Sequence, residues 1–196
     1  MKNLAFAMIA AAALSSVSTS GAAQNMGDPG SSFVEAVRNA DGDKAQELLR
    51  ANPVGGIVNT RGGDGQTGLI LAINRSDEQW TAFLLNKGAD PNLPGRGGDT
   101  PLINAARVGF ESAVEWLLQV GAKVDGTNRS GETPLIVAVE QRRPRIAQML
   151  LEAGADPDKT DHAAGYSARD YAKRDPRARD ILKMIEAKKS SASASK

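Results

Sequence analysis

Cysteine is absent from the chain. That excludes disulfide frameworks, thiolate metal sites, cysteine nucleophiles and a lipid-bearing N-terminal cysteine. Histidine occurs once, at His162, so it has no cysteine or second histidine to complete a zinc set. Aromatic residues make up only 4% of the 196 residues, against 41% apolar residues overall, so any core is built from small and aliphatic side chains. Strong charge of either sign is also missing, the formal net charge being +1. Nucleic-acid binders carry a concentrated basic surface that releases counterions from phosphate, and this composition provides none. The one local excess, eight basic against four acidic residues from Arg169 to Lys189, reads as the solvated face of a terminal helix.

Long hydrophobic runs are scarce too. The longest, Leu4–Leu14, has eleven residues, short of the about 20 needed to span a bilayer. It follows Lys2 and leads into the small residues Gly21-Ala22-Ala23, the layout of a secretory signal peptide cleaved after Ala23. Residues 1–23 are therefore expected to be removed on export, leaving 23 basic and 23 acidic side chains and no membrane span. The expected destination is the periplasm or beyond the cell.

What the chain has in abundance is repetition. Thr67, Thr100 and Thr133 are separated by 33 residues each, as are Leu84-Leu85, Leu117-Leu118 and Leu150-Leu151. Gly88-Ala89, Gly121-Ala122 and Gly154-Ala155 keep the same period. A fixed period of this length marks stacked supersecondary units. Within one unit, Thr100 offers a side-chain cap and Pro101 suits the first helical position, where no N–H is required. Leu102, Ile103, Ala105 and Ala106 form an apolar stripe that Gly109 closes. A second helix is expected over Glu111–Gln119, ended by Gly121 in the left-handed conformation. Asp125-Gly126, Asn128 and Ser130-Gly131 then supply turn chemistry.

"TPLINAA…LLQVGA" and "TPLIVAV…LLEAGADPD" resemble the ankyrin repeat, whose hallmark is T-P-L-H-x-A. The resemblance implies an all-α solenoid of about five helix pairs with extended turn fingers. It covers residues 31–187, after a linker at 24–30 and before a disordered tail at 188–196. The first and last units are degraded caps: Ser31–Asn52 lacks Thr-Pro, and Ser167-Ala168 stands in its place at the other end. Polar end units are what a stack needs to stay soluble. Ile70, Ile103 and Ile136 replace the family histidine, so its hydrogen-bond network between repeats is expected to be missing. The first connection is three residues longer than the others and rich in glycine, which marks Pro53–Gly65 as the expected mobile finger. Trp80 and Trp116 are expected in the core.

Catalytic and metal motifs fare poorly. "GRGGDT" and "RGGDGQT" lack the Gly-Lys-Ser/Thr of a phosphate loop, and "DPDKTDH" lacks the residue order of a calcium loop. No Gly-x-Ser-x-Gly elbow accompanies His162. The expected function is therefore a non-catalytic, cofactor-free, monomeric module that binds another protein. Rivals are an effector secreted beyond the cell, a small-molecule or metal carrier, and a hydrolase. The family resemblance implies a concave binding surface built from turn tips and adjoining first-helix residues. Matched repeat by repeat, it consists of Asp64, Gln66, Asn74 and Arg75; then Arg96, Asp99, Arg107 and Val108; then Arg129, Glu132, Glu140 and Gln141; and finally Tyr166 and Arg174.

Overall fold

The computed structural model describes residues 28–53 and 56–193. The signal peptide read in residues 1–23 lies outside the described residues. Ten helices follow one another among the described residues, with no strand: α1 (Pro29–Arg38), α2 (Gly42–Ala51), α3 (Gly68–Asn74), α4 (Glu78–Asn86), α5 (Pro101–Val108), α6 (Glu111–Gln119), α7 (Pro134–Glu140), α8 (Pro144–Glu152), α9 (Ala168–Arg174) and α10 (Arg179–Ser193). They form five antiparallel pairs. The first helices α1, α3, α5, α7 and α9 pack side by side in one layer, and α4, α6, α8 and α10 form the second. No described helix is long and apolar enough to cross a membrane.

The helix starts follow the repeated threonines. The Thr67, Thr100 and Thr133 hydroxyls accept from the backbone N–H of Ile70, Ile103 and Ile136 at 3.2, 3.2 and 3.1 Å. Each bond satisfies one orphan donor of a first turn. Ser167 does the same work at α9 in a capping box with Asp170. Between the first helices the core is aliphatic: Leu69, Ile70, Leu102, Ile103, Leu135 and Ile136 are all buried.

Because those isoleucines cannot hydrogen-bond, the polar links between repeats lie elsewhere. Asn59 donates its side-chain amide to Gly88 O at 3.3 Å and accepts from Asp90 N at 2.8 Å. One period later Asn92 donates to Gly121 O at 3.2 Å and accepts from Lys123 N at 2.8 Å. A further period on, Asp125 accepts from Asp156 N at 3.1 Å and, as a carboxylate, donates nothing. This ladder clips each second helix's end to the preceding unit, at the point where Gly88, Gly121 and Gly154 take φ of 82°, 91° and 99°. The first-helix ends repeat too, but only Gly109 is a glycine there. Its equivalents Ser76 and Arg142 hold φ of 52° and 53°, a conformation costly for residues with a Cβ.

Several sequence expectations need correction. The linker ends earlier than residue 30, because the Asp28 carboxylate accepts from Ser31 N at 2.8 Å and starts α1 at Pro29. The rest of that linker, residues 24–27, lies outside the described residues. Nor does the last repeat end at 187 in a disordered tail: α10 continues to Ser193, through a stretch that contains neither glycine nor proline. Residues 194–196 lie outside the described residues. In the first finger, Val54 and Gly55 lie outside the description, but Ile57–Asn59 forms a 3₁₀ turn with Ile57 and Val58 buried. This part of the finger is anchored by apolar burial and by Asn59. Trp80 and Trp116 are only half-buried, packing against the core edge in T-shaped contacts with Phe83 and Phe110.

One buried polar side chain is left unsatisfied among the described residues. Thr81 in α4 is fully buried, and its hydroxyl has no hydrogen-bond partner. The equivalent residue one repeat later is Val114, and after that Ala147. An unmet buried hydroxyl costs roughly 1–3 kcal/mol, whereas valine keeps its shape. Thr81→Val is expected to raise stability by about 1 kcal/mol in denaturant titrations, and Thr81→Ser, which keeps the hydroxyl and loses a methyl, to lower it.

Candidate interaction face

From α3 onward, the residue preceding the N-cap of each first helix and the residue near that helix's end fall on one face. In register these are Gln66, Asp99, Glu132 and Tyr166, and then Asn74, Arg107, Glu140 and Arg174. Contacts tie the two rows together. Arg107 lies 3.3 Å from both oxygens of Asp99 and 3.9 Å from Glu132 of the next repeat. Asn128 bridges the same two acids, donating to Asp99 at 2.7 Å and to Glu132 at 2.6 Å. Its own oxygen accepts from the N–H of Ser130 and of Glu132, each at 3.0 Å, which fixes the finger beneath. At the C-terminal end the Arg174 guanidinium lies 4.3 Å from the centre of the Tyr166 ring, a cation–π contact.

Other expected members are placed differently. Asp64 is held by Arg38 of the first repeat at 2.8 Å. The Gln66 N–H and the Arg38 guanidinium together keep its carboxyl below the usual range. Arg75 is occupied by packing: it donates to Val37 O at 3.0 Å and to Arg38 O at 2.9 Å, satisfying carbonyls at the end of α1. Its removal therefore affects the interface between repeats, contrary to the expectation of a free binding side chain. Val108 is half-buried against the core. The side chain of Gln66 sits above Gly95, where a Cβ would meet its oxygen. Asn74, Arg96, Arg129 and Gln141 are exposed, Arg96 and Arg129 at consecutive finger tips. Those tips are linked through the backbone: Arg129 N donates to Gly97 O at 3.4 Å, and His162 N to Ser130 O at 2.8 Å.

Asn128 and Asp161 belong to this face although sequence reasoning gave them only turn roles, and so does Tyr171, to which it gave none. A clue was present: Gly62 and Gly95 occupy the same register as Asn128 and Asp161, so a polar side chain appears where earlier repeats have none. Asp161 is buried and accepts from Ala164 N at 2.8 Å, Gly165 N at 3.0 Å and the Tyr171 hydroxyl at 2.5 Å. Burial works to raise its pKa, yet these donors outweigh it and hold the carboxyl below its ordinary value. The same bond drives the Tyr171 phenol upward. No group of three or more acidic or histidine side chains among the described residues could hold a metal ion.

Glu140 is the exception on this face. It is half-buried at the end of α7, and no described group donates to its carboxylate. Burial first, and the neighbouring Glu132 second, raise its pKa, while Arg107 opposes them and Asp161 adds to them. A carboxyl whose folded pKa lies above its unfolded value destabilises the fold when ionised. That penalty is complete above the folded pKa, declines as pH falls through it, and is gone below the unfolded value. Glu140→Gln is expected to raise the melting temperature at pH 7. The gain should disappear below about pH 4, where the wild-type carboxyl is protonated in both states.

The comparisons with known proteins agree with this architecture. The profile of the family described as "Ankyrin repeats (3 copies)" matches residues 33–128 and again residues 82–161, together more than half of the chain. No curated protein matches the sequence. Helix pairs, the 33-residue register and the family match converge, and the chain belongs to the ankyrin-repeat family.

Proposed function

We propose that the protein is an exported, non-catalytic, monomeric interaction module that binds another protein through the finger and first-helix face. The observation that carries this reading is the pattern of change between repeats. Thr67, Thr100 and Thr133 are identical, as are Ile70, Ile103 and Ile136, and these residues make the repeat interfaces. Gln66, Asp99, Glu132 and Tyr166 differ in every repeat, and Asn74, Arg107 and Glu140 differ through the three central ones, with arginine returning at Arg174. Packing holds the first set constant, and a row of differing polar groups suits recognition of one extended surface. Proteins built of these repeats generally mediate protein–protein interaction. Fold alone names no partner.

Binding is tested with the partner that co-purifies from an envelope fraction. Arg96→Ala with Arg129→Ala is expected to change stability by less than about 1 kcal/mol, since both side chains are exposed. The same pair is expected to weaken binding by about 2 kcal/mol, the scale of an arginine hot spot. Glu115→Ala with Gln148→Ala, on the second-helix layer, should leave binding unchanged. Loss of binding in that control pair alone would place the site on the opposite face.

Export rests on the segment Leu4–Leu14 with Gly21-Ala22-Ala23. N-terminal sequencing of protein recovered from the producing cell's envelope is expected to begin at Gln24, and a sequence beginning at Met1 would overturn it.

A further inference from the structure

We infer that the groove between the end of α7 and α9 receives a basic side chain, arginine above lysine, from an extended segment of the partner protein, seated against Glu140. This inference rests on the interaction-face reading above and gives its chemistry. The groove is open to solvent and encloses about 620 Å³. Val139 and Tyr171 line it beside Glu140, with Arg174, Asp175, Pro176 and Arg177 completing it.

The neighbouring carboxylates are already provided for. Asp161 accepts from two loop amides and the Tyr171 hydroxyl, and Glu132 accepts from Asn128. Asp175 is held by Arg142 at 2.9 Å and by Arg177 at 3.0 Å. The nearby cations are engaged as well: Arg174 lies over the Tyr166 ring, Arg177 pairs with Asp175, and Arg107 pairs with Asp99. Glu140 alone on this face presents a half-buried carboxylate that accepts no hydrogen bond from a described residue. Keeping it there works against stability, since burial and Glu132 both disfavour its charge. A cation docked from outside removes that imbalance.

The groove's walls choose among cations. A hydrated metal ion needs several oxygen ligands at once, and no such group of side chains is formed among the described residues. An arginine or lysine instead carries an aliphatic stem that can lie along Tyr171 and Pro176 while its head reaches the carboxylate. Arginine adds a planar fork that pairs with both carboxylate oxygens and stacks on an aromatic ring such as Tyr171.

The test titrates the full chain with four blocked pentapeptides on one alanine–leucine frame, carrying a central arginine, lysine, glutamine or glutamate, followed by amide NMR. The arginine peptide is expected to move the amides of Val139, Glu140 and Tyr171, and to bind up to about fivefold tighter than the glutamine peptide, as one partly exposed ion pair allows. Glu140→Gln should erase that difference, and Glu115→Gln should leave it intact. Equal binding of all four peptides, or a preference for arginine that survives Glu140→Gln, overturns the inference. So does magnesium chloride moving the same amides at matched ionic strength. With the natural partner the two readings separate: if Arg96→Ala with Arg129→Ala weakens binding and Glu140→Gln does not, the face stands and the arginine seat falls.

Discussion

A pair of helices joined by a short turn has an apolar side that it cannot bury on its own. In this chain Leu102 and Ile103 of α5 are hidden because α3 lies on one flank and α7 on the other. The same holds for Leu69 and Ile70, and for Leu135 and Ile136. Nearest-neighbour burial is the constraint from which the rest follows, and it is why the same residues recur every 33 positions. The capping threonines position these helices, and the side chains of Asn59, Asn92 and Asp125 hold their spacing. At the last repeat, α9 opens with a capping box instead, and charged residues take over its outer surface.

The polar face is what this constraint leaves free, though less of it is free than counting exposed-looking residues would suggest. Asp64 and Arg75 are used in binding one repeat to the one before. Asp99, Arg107, Asn128 and Glu132 satisfy one another across two repeats, which makes the centre of the face rigid and leaves it one net negative charge. Rigidity there has a use, since a preorganised surface loses less freedom when a partner docks. The groups left without internal partners lie at its edges: the arginines at the finger tips, and Glu140 beside the last repeat.

The fold was legible because its determinants are local and repeated. Thr-Pro before an apolar stripe and Gly at a second-helix end each have one physical reading, and three copies reinforce it. The helix limits Pro101–Val108 and Glu111–Gln119 could be placed from such residues alone. The site was less legible because its contacts cross repeats. Nothing in "NRSGE" says that Asn128 reaches back to Asp99, 29 residues earlier, and nothing around Arg75 says that it reaches carbonyls 37 and 38 positions away. The boundaries at Pro29 and Ser193 were misjudged for a simpler reason. Composition suggested loose ends, whereas a single cap at Asp28 and an uninterrupted run of helix-compatible residues after Ala187 extend the regular structure.

The ladder of Asn59, Asn92 and Asp125 has a further consequence for how such a chain can change over generations. Each rung joins a side chain in one unit to backbone groups at the same place in the next, and neither end depends on which copy supplies it. A gene segment encoding one such period, duplicated in frame anywhere between two rungs, would give a protein in which every new rung finds its partner. The buried layer would lengthen by one identical interface, while the duplicated surface residues would begin free of any packing duty. Selection could then reshape that surface without passing through an unfolded intermediate. The differing residues along that face, beside threonines and isoleucines that recur unchanged, are what that history would leave behind.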